Sequence, residues 1–289
     1  MQVKVAKTAG FCFGVKRAVK IVYDEIEKGT SKVYTMGPII HNEQVVADLA
    51  ARGVKTINDD LYCEEEGRSP GPGDCIIVRS HGVSREMLEK LNASGARIVS
   101  ATCPFVTKIH EIVAEKSRLG YHIIIIGNPK HPEVIGIRGW ASGDCSVIET
   151  REEARKLQIK EGQKVWVVSQ TTFNYENFQE LVEIIESLGY DIGVTNTICN
   201  ATKERQVEAM ELARESDAMI VIGGKHSSNT QKLYDICRDQ CKDTYYIQTL
   251  DDLVTVNFQS DSCVGITAGA STPNTIIQEV VSNVRRTEL

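Results

Sequence analysis

The chain has 289 residues, 42% of them hydrophobic and 25% charged, with a formal net charge of −6. That balance excludes a disordered chain, and the lack of any basic cluster beyond pairs such as Lys16-Arg17 argues against a nucleic-acid partner. Apolar blocks such as residues 123–126 are strand-sized, far short of the ~20 residues that cross a bilayer, and the opening MQVKVAKTAG has no signal-peptide core, so a cytoplasmic protein without a membrane partner is expected.

Taken in chain order, three segments repeat one pattern. VKVAKTAGFC, ARIVSATC and DIGVTNTIC each read as a strand running into a cysteine: Cys12, Cys103 and Cys199. Apolar residues at helical spacing follow each one. They are Val15, Ala18, Val19, Val22 and Ile26 in the first copy and Val106, Ile109 and Val113 in the second, with a weaker stripe of Val207, Met210 and Ala213 in the third. Next come strands closing on a glycine, KVYTMG at Gly37, HIIIIG at Gly127 and AMIVIGG at Gly223. These lie 25, 24 and 24 residues past the cysteines (37−12, 127−103, 223−199). Four residues beyond each glycine a polar residue is expected to open a second helix: His41, His131 and Ser227. Third strands end in IIVRSHG with His81, VWVVSQTT with Thr171 and VGITAGAS with Ser271, at cysteine offsets of 69, 68 and 72 (81−12, 171−103, 271−199).

Strands alternating with helices predict parallel sheets joined by right-handed crossovers, an α/β fold. The expected architecture is three similar small parallel-sheet α/β units around a pseudo-threefold axis, enclosing a central cavity. The units would be 13–102, 103–198, and 199–289 completed by the N-terminal strand 1–12 through cyclic closure. Ligands of such sheets bind beyond the carboxyl ends of the strands, where every residue singled out above is expected.

Nine cysteines is an odd number, and disulfides are unfavoured in a reducing compartment. A single cysteine at a strand end reads most simply as a small buried hydrophobe, but three at equivalent repeat positions favour ligation. Three thiolates do not complete a structural zinc site. On a cubane iron–sulfur cluster they leave one iron open as a Lewis acid. The other six read as structural: Cys63 in an exposed turn-rich loop, Cys75 and Cys263 opening apolar strands, Cys145 beside a turn, and Cys237 and Cys241 on one helix face.

Ser227, Ser228 and Asn229 stand where a helix should begin, a place suited to an anion. Ser271 and Thr272 precede Pro273 and read as helix caps as well as donors. Several such termini facing one cavity suggest a diphosphate. Glu133, after His131-Pro132, is the carboxylate positioned to deliver a proton; its simpler role would be complementing a helix dipole. Thr171 and Thr172 are candidate hydroxyl donors.

The ordered set AGFCFGVKRA, GPIIHNEQVV, RSHGV, ATCPFVTK, NPKHPEVIG, SQTT, TICNAT, SSNT and AGAST resembles the 4-hydroxy-3-methylbut-2-enyl diphosphate reductase (LytB/IspH) family across nearly the whole chain. The resemblance implies an oxidoreductase for the last step of the non-mevalonate isoprenoid pathway, converting an allylic alcohol diphosphate to isopentenyl and dimethylallyl diphosphates. It implies a [4Fe–4S] cluster on Cys12, Cys103 and Cys199 with one iron lacking a protein ligand. It further implies diphosphate binding by His41, His81, His131, Ser227, Ser228, Asn229 and Ser271, protonation by Glu133 with Thr171 orienting the hydroxyl, and a relay through His131 and Thr202. Electrons would come singly from reduced ferredoxin or flavodoxin. The RNA-binding extension that some relatives carry is not expected here. Two alternatives stand beside this reading: a quinolinate synthase-like cluster dehydratase, which would lack the HPE and SSNT segments, and a non-catalytic iron–sulfur sensor, which would not need Glu133. No CxxxCxxC or G-x-G-x-x-G motif points to radical or nucleotide-cofactor chemistry.

Overall fold

A computed structural model of the chain describes residues 1–29, 31–253 and 261–286. The chain opens with β1 (Gln2–Val5) and α1 (Phe13–Lys28). It continues through β2 (Val33–Met36), α2 (Glu43–Ala51), β3 (Lys55–Ile57), β4 (Cys75–Val78), α3 (Arg85–Ala93) and β5 (Arg97–Ser100). A second such run follows: α4 (Pro104–Arg118), β6 (His122–Ile126), α5 (Pro132–Arg138), β7 (Cys145–Ile148), α6 (Arg151–Arg155), β8 (Val165–Ser169), α7 (Tyr175–Ser187) and β9 (Ile192–Val194). The last stretch holds α8 (Asn200–Arg214), β10 (Ala218–Ile222), α9 (Ser228–Gln240), β11 (Thr244–Ile247), β12 (Cys263–Ala268) and α10 (Asn274–Arg286).

Among the described residues these strands make three four-stranded, wholly parallel sheets, ordered β1-β12-β10-β11, β3-β2-β4-β5 and β7-β6-β8-β9. Each has the same internal plan. The strand leading to a cysteine is an edge strand, and its neighbour is the strand that closes the repeat. β1 pairs with β12 in the register Val3↔Val264, so the first strand of the chain is an edge of the last sheet.

Two compact units result. One comprises residues 1–16, 41–47 and those from 200 onward, and contains the β1-β12-β10-β11 sheet; the other comprises 17–40 and 48–199 and contains the remaining two sheets. The middle strands β2, β4, β6 and β10 are buried at every position, which explains why β4, β6 and β10 are rich in Val and Ile: both faces are covered, as parallel sheets require. In the first unit Ile276, Ile277, Val280, Val281 and Val284 of α10 pack on Ile220, Ile222, Val264 and Ile266. Each such side chain contributes on the order of 2 kcal/mol on burial.

Four expectations change in detail. The stripe assigned to α8 is only partly right: Ala213 is buried as expected, but the rest of the inner face differs. Val207 is 41% exposed, and Ala213 shares the buried face with Thr202, Arg205, Gln206 and Ala209. Three of its five residues are polar, so apolar spacing finds only part of it. The helix after His41 starts later, with Asn42 capping it through Oδ1 and the Val45 N–H at 3.0 Å. Ser271 and Thr272 do not cap α10: their hydroxyls donate to the carbonyls of His41 and Ile222, at 2.9 Å each. Cys63 is not exposed but fully buried, packed with Tyr34, Met36 and Leu91. Its turn-rich segment is folded back by Arg68 on Asp74 (2.7 Å) and the Tyr34 hydroxyl on Glu66 (2.6 Å), which seals the thiol beneath.

Candidate active site

Cys12, Cys103 and Cys199 each stand one residue before a helix: α1, α4 and α8. In each case the cysteine N–H donates to a carbonyl just past the neighbouring strand of its own sheet. Cys12 bonds to Ala270 (3.1 Å), Cys103 to Ser80 (2.9 Å) and Cys199 to Thr171 (3.0 Å). This bond extends the parallel ladder beyond the strand end and sets each sulfur at the positive end of a helix. All three are half-buried, whereas Cys63, Cys75, Cys237 and Cys241 are buried. The last two donate their thiols to the carbonyls of Ala209 (3.8 Å) and Ser216 (3.5 Å), and burial raises both their pKa values, that of Cys237 to about 12. They are core thiols.

Glu133 lies in the first turn of α5 and is only 2% exposed. Burial raises its pKa to about 7, against two donors from Thr171, which favour the charged form: the backbone N–H to Oε1 (2.6 Å) and the hydroxyl to Oε2 (2.8 Å). The carboxyl can thus exchange a proton near neutrality. His131 caps the same helix, its Nδ1 accepting from the Glu133 N–H at 3.1 Å, which puts the proton of the neutral ring on Nε2. His81, past the end of β4, meets His131 edge to face with ring centroids 5.5 Å apart. These four residues form one constellation in the larger unit.

Two residues the sequence did not single out hold this constellation in shape. Gln170 accepts at Oε1 from the Asn128 N–H (3.1 Å) and donates to Thr172 Oγ1 (2.9 Å), tying the loop before α5 to the loop carrying Thr171. A Cβ on Gly127 would lie 2.8 Å from the Gln170 Cβ, so that approach needs glycine. His110 on α4 stacks on Trp140, centroids 5.1 Å apart, beneath Gly82. Trp140 in turn donates to the Val83 carbonyl (2.9 Å). A buried histidine without a motif around it carries no sequence signal.

The smaller unit gathers the other candidates. Ser227 caps α9, accepting from the Thr230 N–H at 3.2 Å. Ser228 and Asn229 open that helix. Asn229 is 5% exposed, and both polar atoms of its amide lack a hydrogen-bond partner among the described residues. A buried amide with unused donors and acceptor could be satisfied by a polar occupant. Ser271 fixes the His41 backbone as described above, and Thr202 is buried on α8.

A family model described as LytB protein matches residues 3–285. A 4-hydroxy-3-methylbut-2-enyl diphosphate reductase of Caldanaerobacter subterraneus subsp. tengcongensis is 44% identical over 286 residues, covering 99% of this chain and 97% of that one. A solved structure of (E)-4-hydroxy-3-methyl-but-2-enyl diphosphate reductase, described as the terminal enzyme of the non-mevalonate pathway, is 42% identical with a TM-score of 0.68, covering 99% of this chain and all of that one. The E-1-hydroxy-2-methyl-but-2-enyl-4-diphosphate reductase of Plasmodium falciparum superposes with a TM-score of 0.88 at 28% identity, over 98% of this chain and 87% of that one. With a match spanning almost every residue and a relative 44% identical over nearly the full chain, the chain belongs to the LytB protein family.

Proposed function

We propose that the chain is a cytoplasmic reductase that converts (E)-4-hydroxy-3-methylbut-2-enyl diphosphate to isopentenyl and dimethylallyl diphosphates, consuming two electrons and two protons and releasing water. The observation that carries this reading is Glu133, a buried carboxyl with a pKa of about 7 held between two Thr171 donors. Departure of an allylic hydroxyl as water requires an acid of that kind, and a sensor or binding protein does not.

Cys12, Cys103 and Cys199 fit a cluster with one open iron. They are three half-buried thiols with equivalent backbone anchoring at three helix starts, and no fourth cysteine repeats that anchoring among the described residues. A [4Fe–4S] cluster held there would supply low-potential electrons and a Lewis acid for the hydroxyl oxygen. Reduced ferredoxin or flavodoxin is the donor.

The remaining roles belong to the chain itself. His41, His81, His131, Ser227, Ser228, Asn229 and Ser271 bind the diphosphate, and the orphaned Asn229 amide supports a polar occupant. Thr171 holds the Glu133 carboxyl in one orientation and positions the substrate hydroxyl. Glu133 gives up its proton to the departing oxygen, and His131 and Thr202 complete the relay. The repeating units are 13–102, 103–198, and 199–289 with 1–12, supported by the common strand plan of the three sheets.

The test is turnover of the allylic diphosphate by anaerobic, iron-replete protein with a reduced low-potential donor, following both five-carbon diphosphates. Iron-replete protein that forms neither product refutes the reading.

A further inference from the structure

The segments leading to two of the three cysteines are gripped by arginines from helices that themselves begin after a cysteine. Arg17 of α1, five residues past Cys12, donates from Nη1 to the Thr102 carbonyl (3.0 Å) and from Nη2 to the Ser100 carbonyl (3.4 Å), just before Cys103. Arg205 of α8, six residues past Cys199, donates from Nη2 to the carbonyls of Thr8 and Gly10 (2.7 Å to Gly10), just before Cys12, and from Nη1 to Ala201 (3.4 Å). Arg17 takes one carbonyl with each nitrogen of its fork; Arg205 takes both loop carbonyls with one nitrogen while the other ties the guanidinium back to Ala201 of α8, an arrangement over two nitrogens that the single nitrogen of a lysine does not reproduce.

The Cys12 segment has the greater need. Seven positions separate Val5 from Cys12, against three from Ser100 to Cys103. It passes through Gly10 at φ +97°, where a Cβ would come within 3.1 Å of Ile277. Accordingly Arg205 is 3% exposed. Glu208, one turn further on α8, accepts from the Lys7 N–H (2.7 Å), the Thr8 N–H (2.9 Å) and the Thr8 hydroxyl (2.5 Å). Carbonyls and amides of one loop are thus held from one helix face. The third segment is anchored differently: Thr197 Oγ1 accepts from the Ser169 N–H (2.7 Å) and donates to its carbonyl (2.6 Å).

We infer that Arg17 and Arg205, the latter with Glu208, are positioning residues that fix the backbone of the Cys103 and Cys12 segments, so that each thiol is set before a cluster arrives. The inference rests on the ligand assignment proposed above, but its first readout does not.

The experiment compares full-length apoprotein of wild type, Arg17→Gln, Arg205→Gln and Glu208→Gln by hydrogen–deuterium exchange. Arg205→Gln and Glu208→Gln should speed exchange in residues 6–12 by about tenfold, the effect of losing a hydrogen bond to a charged group, with 100–103 and 195–199 unchanged. Arg17→Gln should do the reverse, accelerating 100–103 alone. Loaded with iron, each glutamine variant should lose it to a chelator several-fold faster than wild type, and Arg205→Lys should not restore the wild-type rate. Equal acceleration of all three segments, no acceleration, or wild-type iron retention in the glutamine variants would overturn the inference. If Arg205→Gln does not fold, Glu208→Gln decides for the Cys12 loop. Segment-specific exchange in a wild type that takes up no iron would instead refute the cluster assignment.

Discussion

Thr171 meets Glu133 at both carboxyl oxygens, with a backbone N–H on one and a hydroxyl on the other. Both bonds favour the carboxylate, yet burial dominates and leaves the pKa near 7. If the protonated form is the acid in catalysis, kcat falls as pH rises through about 7. Glu133→Gln should retain substrate binding but lower kcat by about a hundredfold or more, and the alkaline limb centred near 7 should go with it. A variant as fast as wild type would leave Glu133 only a helix-end carboxylate.

Replacing Thr171 by Val removes the hydroxyl donor and keeps the backbone one. Because the lost bond favours the carboxylate, the alkaline limb of kcat should move to higher pH. A pH–rate profile superimposable on wild type would show that the hydroxyl does not touch the acid.

Stability carries two opposed pH dependences. Glu133 binds its proton more tightly folded than unfolded, so its contribution is complete below about 4.5 and lost as pH rises through about 7. His110 is the converse: burial lowers its pKa to about 4, so its contribution is present above about 6.5 and lost as pH falls toward 4. Each is worth on the order of 3 kcal/mol, and between these limits they offset one another. Urea unfolding of Glu133→Gln should therefore expose a stability that climbs from pH 4.5 to 6.5, ending above wild type at pH 8 and equal to it at pH 4. Parallel curves for the two proteins would show that Glu133 ionises freely.

Anaerobically purified wild type should contain about four iron and four sulfide per chain, the content of a cubane cluster. Cys103→Ser should lose most of both, and Cys237→Ser neither, because the Cys237 thiol is spent on the Ala209 carbonyl. Full iron in Cys103→Ser would remove that residue from the ligand set.

Asn229 should show a trade between stability and binding. An unpaired buried amide costs roughly 1–3 kcal/mol, so Asn229→Leu should raise the Tm of the ligand-free protein while raising KM by about tenfold or more. A variant with lower Tm and unchanged KM would make the amide a structural group with no ligand.

The fold was legible because the repeat lies in backbone-determined features. Strand runs buried on both faces are largely apolar, and the turns after them carry Cys, Gly or a polar residue at nearly constant offsets. The alternation identified each sheet, the offsets singled out Thr171, His81 and His131, and Glu133 was singled out as the carboxylate that follows His131-Pro132. What escaped depends on polar packing. The inner face of α8 is built on Arg205 and Gln206, and a hydrophobic period passes over it. Cys63 is sealed by ion pairs from a loop whose composition resembles solvent-exposed chain. His110 and Gln170 support the constellation through a ring stack and an amide bridge, and neither contact leaves a trace in local spacing.

The pairing of β1 with β12 has a consequence for synthesis. The earliest thiol made, Cys12, finds its backbone partner only when Ala270 leaves the ribosome, on the order of tens of seconds later at ordinary translation speeds. Until then its loop has no sheet to extend, and the nascent chain offers an unanchored sulfur. If Cys12 holds a cluster as proposed, loading at that thiol would therefore wait until the β12 segment has been made, and until then the Cys12 sulfur is the one most open to oxidation.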